Sequence, residues 1–140
     1  MEQFVMSEHT ALRISDSQQG QTVLVLLHGY LESLEIWEDF AKLLSPHYRI
    51  LAIDIPGHGI SEVKSEVHTM EFVADVLRGV LDLKQNSRWF VAGHSMGGYV
   101  AEAFAAKYRE RLEGLILFHS SPYAANDSKK EDHRREIEMF

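Results

Sequence analysis

The fold is decided by ten residues in the middle of the chain, Trp89-Phe90-Val91-Ala92-Gly93-His94-Ser95-Met96-Gly97-Gly98. The apolar residues at the start predict a short buried strand, and the stretch from Tyr99 to Leu112 is rich in helix-forming Ala, Glu, Lys and Arg. Glycines two positions before and after the serine allow a sharp turn without side-chain collisions. A strand, a tight turn and a helix in this order lift a serine hydroxyl above the sheet. We therefore predict Ser95 as a nucleophile, with the Met96 N–H as a donor to an oxyanion.

Apolar runs and helical patterns alternate on both sides of this stretch. Strands are predicted at residues 4–6, 11–15, 22–27, 48–55, 89–92 and 115–118. Helices are predicted from an N-cap at Ser33 to Leu44, and after a second N-cap at Thr69. The run at 22–27 is continuously apolar, which is typical of a strand covered on both faces. The pattern predicts one α/β domain, with a mostly parallel sheet and helices on both faces.

Composition narrows the classes of function. The chain has 140 residues, no Cys, and a formal net charge of -7 from 21 acidic and 14 basic residues. The negative charge disfavours nucleic acid and anionic membrane surfaces as partners, and the lack of Cys excludes disulfides and thiolate sites. No apolar run reaches the roughly 20 residues that span a bilayer, and the N-terminus lacks the pattern of a secretory signal. We therefore expect a cytoplasmic protein.

Two further motifs accompany the serine turn. One is His28-Gly29-Tyr30, which follows a predicted strand, and the other is Asp54-x-Pro56-Gly57-His58-Gly59-x-Ser61, which begins at the end of another. With Gly93-x-Ser95-x-Gly97 they resemble, in order, the signatures of the α/β-hydrolase family, in particular its small esterases, non-metal haloperoxidases and carbon–carbon bond hydrolases. The resemblance covers nearly the whole chain. It implies an eight-stranded, mostly parallel sheet and a catalytic order of Ser, acid and His along the chain.

The resemblance also implies roles for individual residues. Tyr30 inherits the second oxyanion N–H by its position after His-Gly, with Leu31 as second choice. His28 could be suspected as a base, but a structural imidazole is favoured there, and Asp54 is expected to hold a loop together. The positions expected to shape the turns are His28, Gly29, Asp54, Gly57, His58, Gly59, Gly93, His94, Gly97 and Gly98. Substrate contacts are predicted for Leu31, Trp37, His119 and Tyr123. No metal or organic cofactor is implied, because the His and acidic residues form no ligand set at the expected spacing.

The triad acid and the triad histidine are expected beyond residue 140, since the family places the acid after the next strand and the histidine after the last one. We expect residues 1–122 to be the N-terminal part of the hydrolase core, truncated after the sixth strand, and residues 123–140 to begin a helical lid. The last strand would then have an exposed apolar edge, which predicts an aggregation-prone or oligomeric chain. Alone, such a chain is expected to be inactive.

Three explanations stay open at this stage. The first is one part of an enzyme whose complementary C-terminal segment carries the acid and the histidine. The second is a complete, non-catalytic binding module, and the third is an oligomer in which another copy supplies the base. Under the first, the function is hydrolysis of a carboxylic ester or a related small acyl substrate through an acyl-enzyme at Ser95. Perhydrolase activity and carbon–carbon bond hydrolysis are the alternatives within the family.

Overall fold

The computed structural model describes residues 1–63, 69–84 and 89–118. Its strands are β1 (Glu2–Ser7), β2 (Thr10–Asp16), β3 (Val23–Leu27), β4 (Arg49–Ile53), β5 (Trp89–His94) and β6 (Leu112–Phe118). Its helices are α1 (Glu38–Leu44), α2 (Met70–Leu83) and α3 (Met96–Lys107). The predicted lid at 123–140 lies outside the described residues, as do His119 and Tyr123.

The strands form one sheet in the order β1-β2-β4-β3-β5-β6. The first two pairings, β1 with β2 and β2 with β4, are antiparallel, and the pairings of β3 with β4 and β5 and of β5 with β6 are parallel. The predicted mostly parallel sheet is therefore confirmed. Because β3, β4, β5 and β6 run in the same direction, their carboxyl ends meet at one edge of the sheet. The loops that begin at His28 and Asp54 and the turn at Ser95 are brought together at that edge.

The core lies on both faces of this sheet. Helices α2 and α3 cover one face, where Leu27, Val76 and Phe104 are fully or almost fully buried. The 3₁₀ turn Leu34–Trp37 and α1 cover part of the other face, where Trp37 packs near Leu26 and Ala92. All five residues of β3 are buried, which confirms the strand predicted from its continuous apolar run. In the described ranges we find no helix with the length and apolarity needed to cross a bilayer.

The two predicted N-caps are observed. The Thr69 hydroxyl accepts a hydrogen bond from the Phe72 N–H at 3.0 Å, and α2 buries the predicted stripe of Val73, Val76, Leu77, Val80 and Leu81. The Ser33 hydroxyl accepts from the Glu35 N–H at 3.3 Å. The helix predicted after Ser33 differs in detail, since its first turn is the 3₁₀ turn and regular α1 begins only at Glu38.

The helix predicted from Tyr99 to Leu112 is wrong at both ends. Helix α3 begins at Met96 and ends at Lys107, and β6 starts at Leu112, earlier than the predicted residue 115. Helix propensity does not explain why α3 ends as early as Lys107. The cause lies in tertiary contacts of the next residue, Tyr108. The Tyr108 ring packs 5.3 Å from the Phe104 ring, and its hydroxyl donates to the Asp75 carboxylate of α2. These contacts fix Tyr108 outside the helix.

Candidate active site

Ser95 stands in a strained turn between β5 and α3. Its backbone has φ 53° and ψ −113°, in the left-handed half of conformational space that non-glycine residues rarely occupy. Such a conformation costs roughly 1–3 kcal/mol and persists only where the surrounding structure enforces it. The Ser95 N–H donates to the Phe118 carbonyl of β6 at 3.0 Å, and the Ser95 carbonyl accepts from the Gly98 N–H at 2.9 Å. The turn is thus held from both sides.

The glycines of the turn are required by close approaches of backbone atoms. A Cβ on Gly93 would lie 2.5 Å from the Gly98 nitrogen. A Cβ on Gly97 would lie 2.5 Å from the His28 carbonyl oxygen and closer still to the Leu27 carbonyl oxygen. The first turn of α3 therefore rests directly on the end of β3. This contact joins the serine turn to the loop that begins at His28.

Two backbone N–H groups at this junction are available as donors. Met96 is the first residue of α3, and the first N–H groups of a helix have no partner inside it. The Tyr30 N–H donates no hydrogen bond within residues 1–63, 69–84 and 89–118. Two open N–H donors at such a junction can stabilise, by hydrogen bonds, the negative charge that develops on a carbonyl oxygen during acyl transfer. These are the two donors predicted from the sequence, and their catalytic role stays a prediction.

His28 is buried and both of its ring nitrogens are engaged. Its Nδ1 lies 2.7 Å from the Gly29 carbonyl oxygen, and its Nε2 accepts from the Ile55 N–H at 2.9 Å. An acceptor at Nε2 and a donor at Nδ1 define a neutral imidazole. Burial is the main cause that lowers the pKa of His28, which also favours the neutral ring. This histidine joins the loops after β3 and β4 and has no nitrogen left to act as a base.

Asp54 connects the same loops through its carboxylate. Its Oδ2 accepts from the Arg13 Nε–H at 2.7 Å and from the Ile60 N–H at 3.0 Å, and its Oδ1 accepts from the Leu34 N–H at 2.7 Å. Burial alone would raise the pKa of Asp54, but the hydrogen bonds from Arg13 and the two N–H groups outweigh it and lower the pKa. The chain passes close to the Asp54 carboxylate at Gly59, which has φ 54° and where a Cβ would lie 2.6 Å from Oδ1. Arg13 was not predicted, because nothing in its local sequence indicates a partner on another strand.

His58 and Gly57 complete the turn after β4. The His58 ring lies 5.1 Å from the His28 ring and 5.9 Å from the Tyr30 ring, measured between centroids. Gly57 has φ 81°, a conformation that side chains disfavour. The histidine therefore packs against the loop that carries the Tyr30 N–H.

A further carboxylate, that of Glu32, links the loop after β3 to the serine turn. Its Oε1 accepts from the Gly29 N–H at 2.9 Å and lies 2.9 Å from His94 Nδ1. Both side chains are about 30% exposed, at 29% for Glu32 and 30% for His94. The sequence analysis placed His94 in the turn motif but missed Glu32, because no local pattern pairs residues so far apart in the chain.

The predicted substrate contacts fall in different places. Leu31 is half exposed and has φ 60°, and it lies on the loop with Tyr30. Trp37 is 8% exposed and packs 5.8 Å from Phe40 and 6.1 Å from Phe118, on the face of the sheet that α1 covers. It also lines a cavity of about 360 Å³ that Ser95 does not line.

In the part of the chain that the structure describes, no three His, Asp or Glu side chains are grouped as a metal site requires.

Comparison with known proteins agrees with this geometry. The sequence model of the alpha/beta hydrolase fold family matches residues 22–134. The chain is 32% identical over 112 residues to a pimeloyl-[acyl-carrier protein] methyl ester esterase of Photorhabdus laumondii, covering 80% of this chain and 41% of that protein. It is 36% identical over 120 residues to a 2-hydroxy-6-oxononadienedioate/2-hydroxy-6-oxononatrienedioate hydrolase of Paraburkholderia phymatum, covering 81% of this chain and 42% of that one.

Solved structures give the same result. A thermophilic esterase from Thermogutta terrifontis superposes with a TM-score of 0.88 at 33% identity, covering 99% of this chain and 53% of the esterase chain. The chain thus spans less than half of the length of these curated relatives and about half of that esterase. Taken with the serine turn, the match over residues 22–134 shows that this chain belongs to the α/β-hydrolase fold family.

Proposed function

We propose that the protein hydrolyses a carboxylic ester, or a related small acyl substrate, through an acyl-enzyme at Ser95. The Ser95 Oγ attacks the acyl carbon, and the N–H groups of Tyr30 and Met96 bind the resulting oxyanion. A base takes the Ser95 Oγ proton and passes it to the alcohol, which leaves as the tetrahedral adduct collapses. Water then attacks the acyl carbon, gives a proton to the same base and releases the acid, and Ser95 Oγ takes that proton back. The observation that carries the proposal is the strained backbone of Ser95, held at φ 53° at the start of α3.

The proposal requires a base for the serine proton. His28 has no free nitrogen, and His94 Nδ1 is engaged by Glu32, so neither is assigned that role. We assign the base to a histidine, oriented by an acid, in a C-terminal segment of the same protein. The greater length of the curated relatives supports this assignment.

The test is the substitution Ser95→Ala in the complete protein, assayed with a simple aryl ester. Loss of the nucleophile should lower kcat by at least about 10⁴-fold while the melting temperature changes little. Ser45→Ala is the matched control, because Ser45 lies at the end of α1, and its turnover should equal that of the wild type. A fluorophosphonate probe should label the wild type and not Ser95→Ala. Retained hydrolysis in Ser95→Ala would exclude the acyl-enzyme, and absence of any turnover in the wild type would favour a non-catalytic binding module.

A second candidate is hydrolysis of a substrate of the 2-hydroxy-6-oxo dienedioate class. The 36% identity to the Paraburkholderia phymatum hydrolase supports it, because the match is as extensive as that to the esterases. Offering both an aryl ester and such a dienedioate to the same preparation separates the candidates. The substrate with the higher kcat/KM identifies the class, since specificity is a ratio of these values.

A further inference from the structure

The turn that carries the Tyr30 N–H is closed twice by the same residue. The Glu32 N–H donates to the Gly29 carbonyl at 3.3 Å, and the Glu32 carboxylate accepts from the Gly29 N–H at 2.9 Å. Between them, Leu31 is held at φ 60°, which is unfavourable for a residue with a side chain. A strained turn of this kind needs support from its surroundings. The Glu32 side chain supplies that support from within the turn.

The same carboxylate oxygen reaches across to the serine turn. Glu32 Oε1 lies 2.9 Å from His94 Nδ1, and His94 immediately precedes Ser95. There is little space between the two segments, since a Cβ on Gly29 would lie 3.1 Å from His94 Nδ1 and 3.3 Å from the His94 carbonyl oxygen. Hydrogen bonds to a carboxylate are shorter and stronger than those between neutral groups. One oxygen atom therefore connects the backbone of one loop to the side chain of the other.

The opposite end of the loop is fixed separately. Asp54 Oδ1 accepts from the Leu34 N–H, so the loop is anchored at Leu34 by Asp54 and at Gly29 by Glu32. Tyr30 lies between these anchors, next to Gly29. Its N–H can meet a developing oxyanion only if its distance from the Met96 N–H is fixed, because such donors must be preorganised.

We propose that Glu32 is a positioning residue for the oxyanion site: its carboxylate, bound to the Gly29 N–H and to His94, holds the Tyr30 N–H in place relative to Ser95 and Met96. The Glu32–His94 pair is called the clasp below. The proposal rests on the proposed function, because it assigns the clasp a task in acyl transfer. Glu32 does not touch the reacting atoms and carries no proton in the reaction.

The experiment measures kcat and KM for an aryl ester with the complete protein and five variants. Glu32→Ala removes the acceptor and should lower kcat about 10- to 100-fold with KM little changed, since displaced oxyanion donors act on the transition state. Glu32→Gln keeps an acceptor oxygen and should stay within about threefold of the wild type. His94→Ala and the double variant Glu32→Ala/His94→Ala complete a double-mutant cycle. The loss of kcat in the double variant should be smaller than the product of the two single losses, because both changes break the same contact. Glu38→Ala is the matched control, because Glu38 is exposed and pairs with Lys42 on α1.

Amide hydrogen exchange provides a readout that needs no turnover. In Glu32→Ala, exchange in the segment 28–33 should be at least about tenfold faster than in the wild type, because a hydrogen bond that closes the turn is lost. The proposal is overturned if kcat in Glu32→Ala equals that in Glu38→Ala, if Glu32→Gln loses as much as Glu32→Ala, or if the two single losses add. If the wild type does not hydrolyse the ester, the proposed function fails by itself. Unchanged exchange in Glu32→Ala then overturns the clasp as well, and faster exchange retains it as the support of this loop.

Discussion

Replacing Gly97 by alanine tests the contact on which the site depends. The added Cβ would lie 2.5 Å from the His28 carbonyl oxygen, about 1 Å short of an ordinary contact, and closer to that of Leu27. Both obstacles are backbone atoms of β3 and its loop, so no side chain can rotate away. The start of α3 must shift by about 1 Å, and a misplacement of this size can cost about 100-fold in rate. We expect kcat/KM for an aryl ester to fall by about that factor, and overpacking to destabilise the protein by about 1–3 kcal/mol.

The control for this experiment is Gly114→Ala in β6. There the added Cβ would meet the Phe90 ring at 2.9 Å, and a half-buried side chain can move aside. Its turnover should stay within about twofold of the wild type, at a stability cost below about 1.5 kcal/mol. Thermal unfolding followed by circular dichroism gives the stability, and ester hydrolysis gives kcat/KM. If folded Gly97→Ala turned over as fast as Gly114→Ala, the contact between α3 and the end of β3 would not set the geometry of the site.

Two further outcomes follow from named contacts. Met96→Leu should keep kcat/KM within about threefold, because the role proposed for Met96 lies in its N–H and the volume is conserved; a loss as large as that of Ser95→Ala would contradict the oxyanion assignment. For Asp16, burial raises the pKa, but the bonds from Arg49, the Gln18 N–H and Lys84 lower it to about 2, below the ordinary value of 3.8. The unfolded state then binds the proton first, so this carboxylate contributes about 2 kcal/mol above pH 4, and that contribution is lost as the pH falls from 4 to 2. Urea titrations at several pH values should show the free energy of unfolding of the wild type falling between pH 4 and pH 2. An equal fall in Asp16→Asn would refute this role of Asp16.

The serine turn was predictable because its determinants are local. Glycines at positions 93 and 97, an apolar strand before them and helix formers after them are all read within the continuous stretch 89–112. The cap at Thr69 and the buried strand β3 were predictable for the same reason. Each of these elements depends on neighbours in the sequence and not on a distant partner.

Other features depend on contacts between distant residues and could not be read in this way. The end of α3 is set by the hydrogen bond between Tyr108 and Asp75 of another helix. Arg13 acquires its role only when β2 pairs with β4, which brings its guanidinium to Asp54. Glu32 belongs to the same class, because a glutamate in a polar loop has no periodicity that would distinguish it from a solvated side chain.

The hydrogen bond from the Ser95 N–H to the Phe118 carbonyl has a consequence for the order of folding during synthesis. Ser95 leaves the ribosome before β6, so the nascent chain first carries the serine without the strand that holds it in the left-handed conformation. A relaxed backbone at this position does not present the hydroxyl above the sheet. The strained conformation of Ser95 therefore gains its full set of backbone hydrogen bonds only when β6 has been synthesised and has docked beside β5.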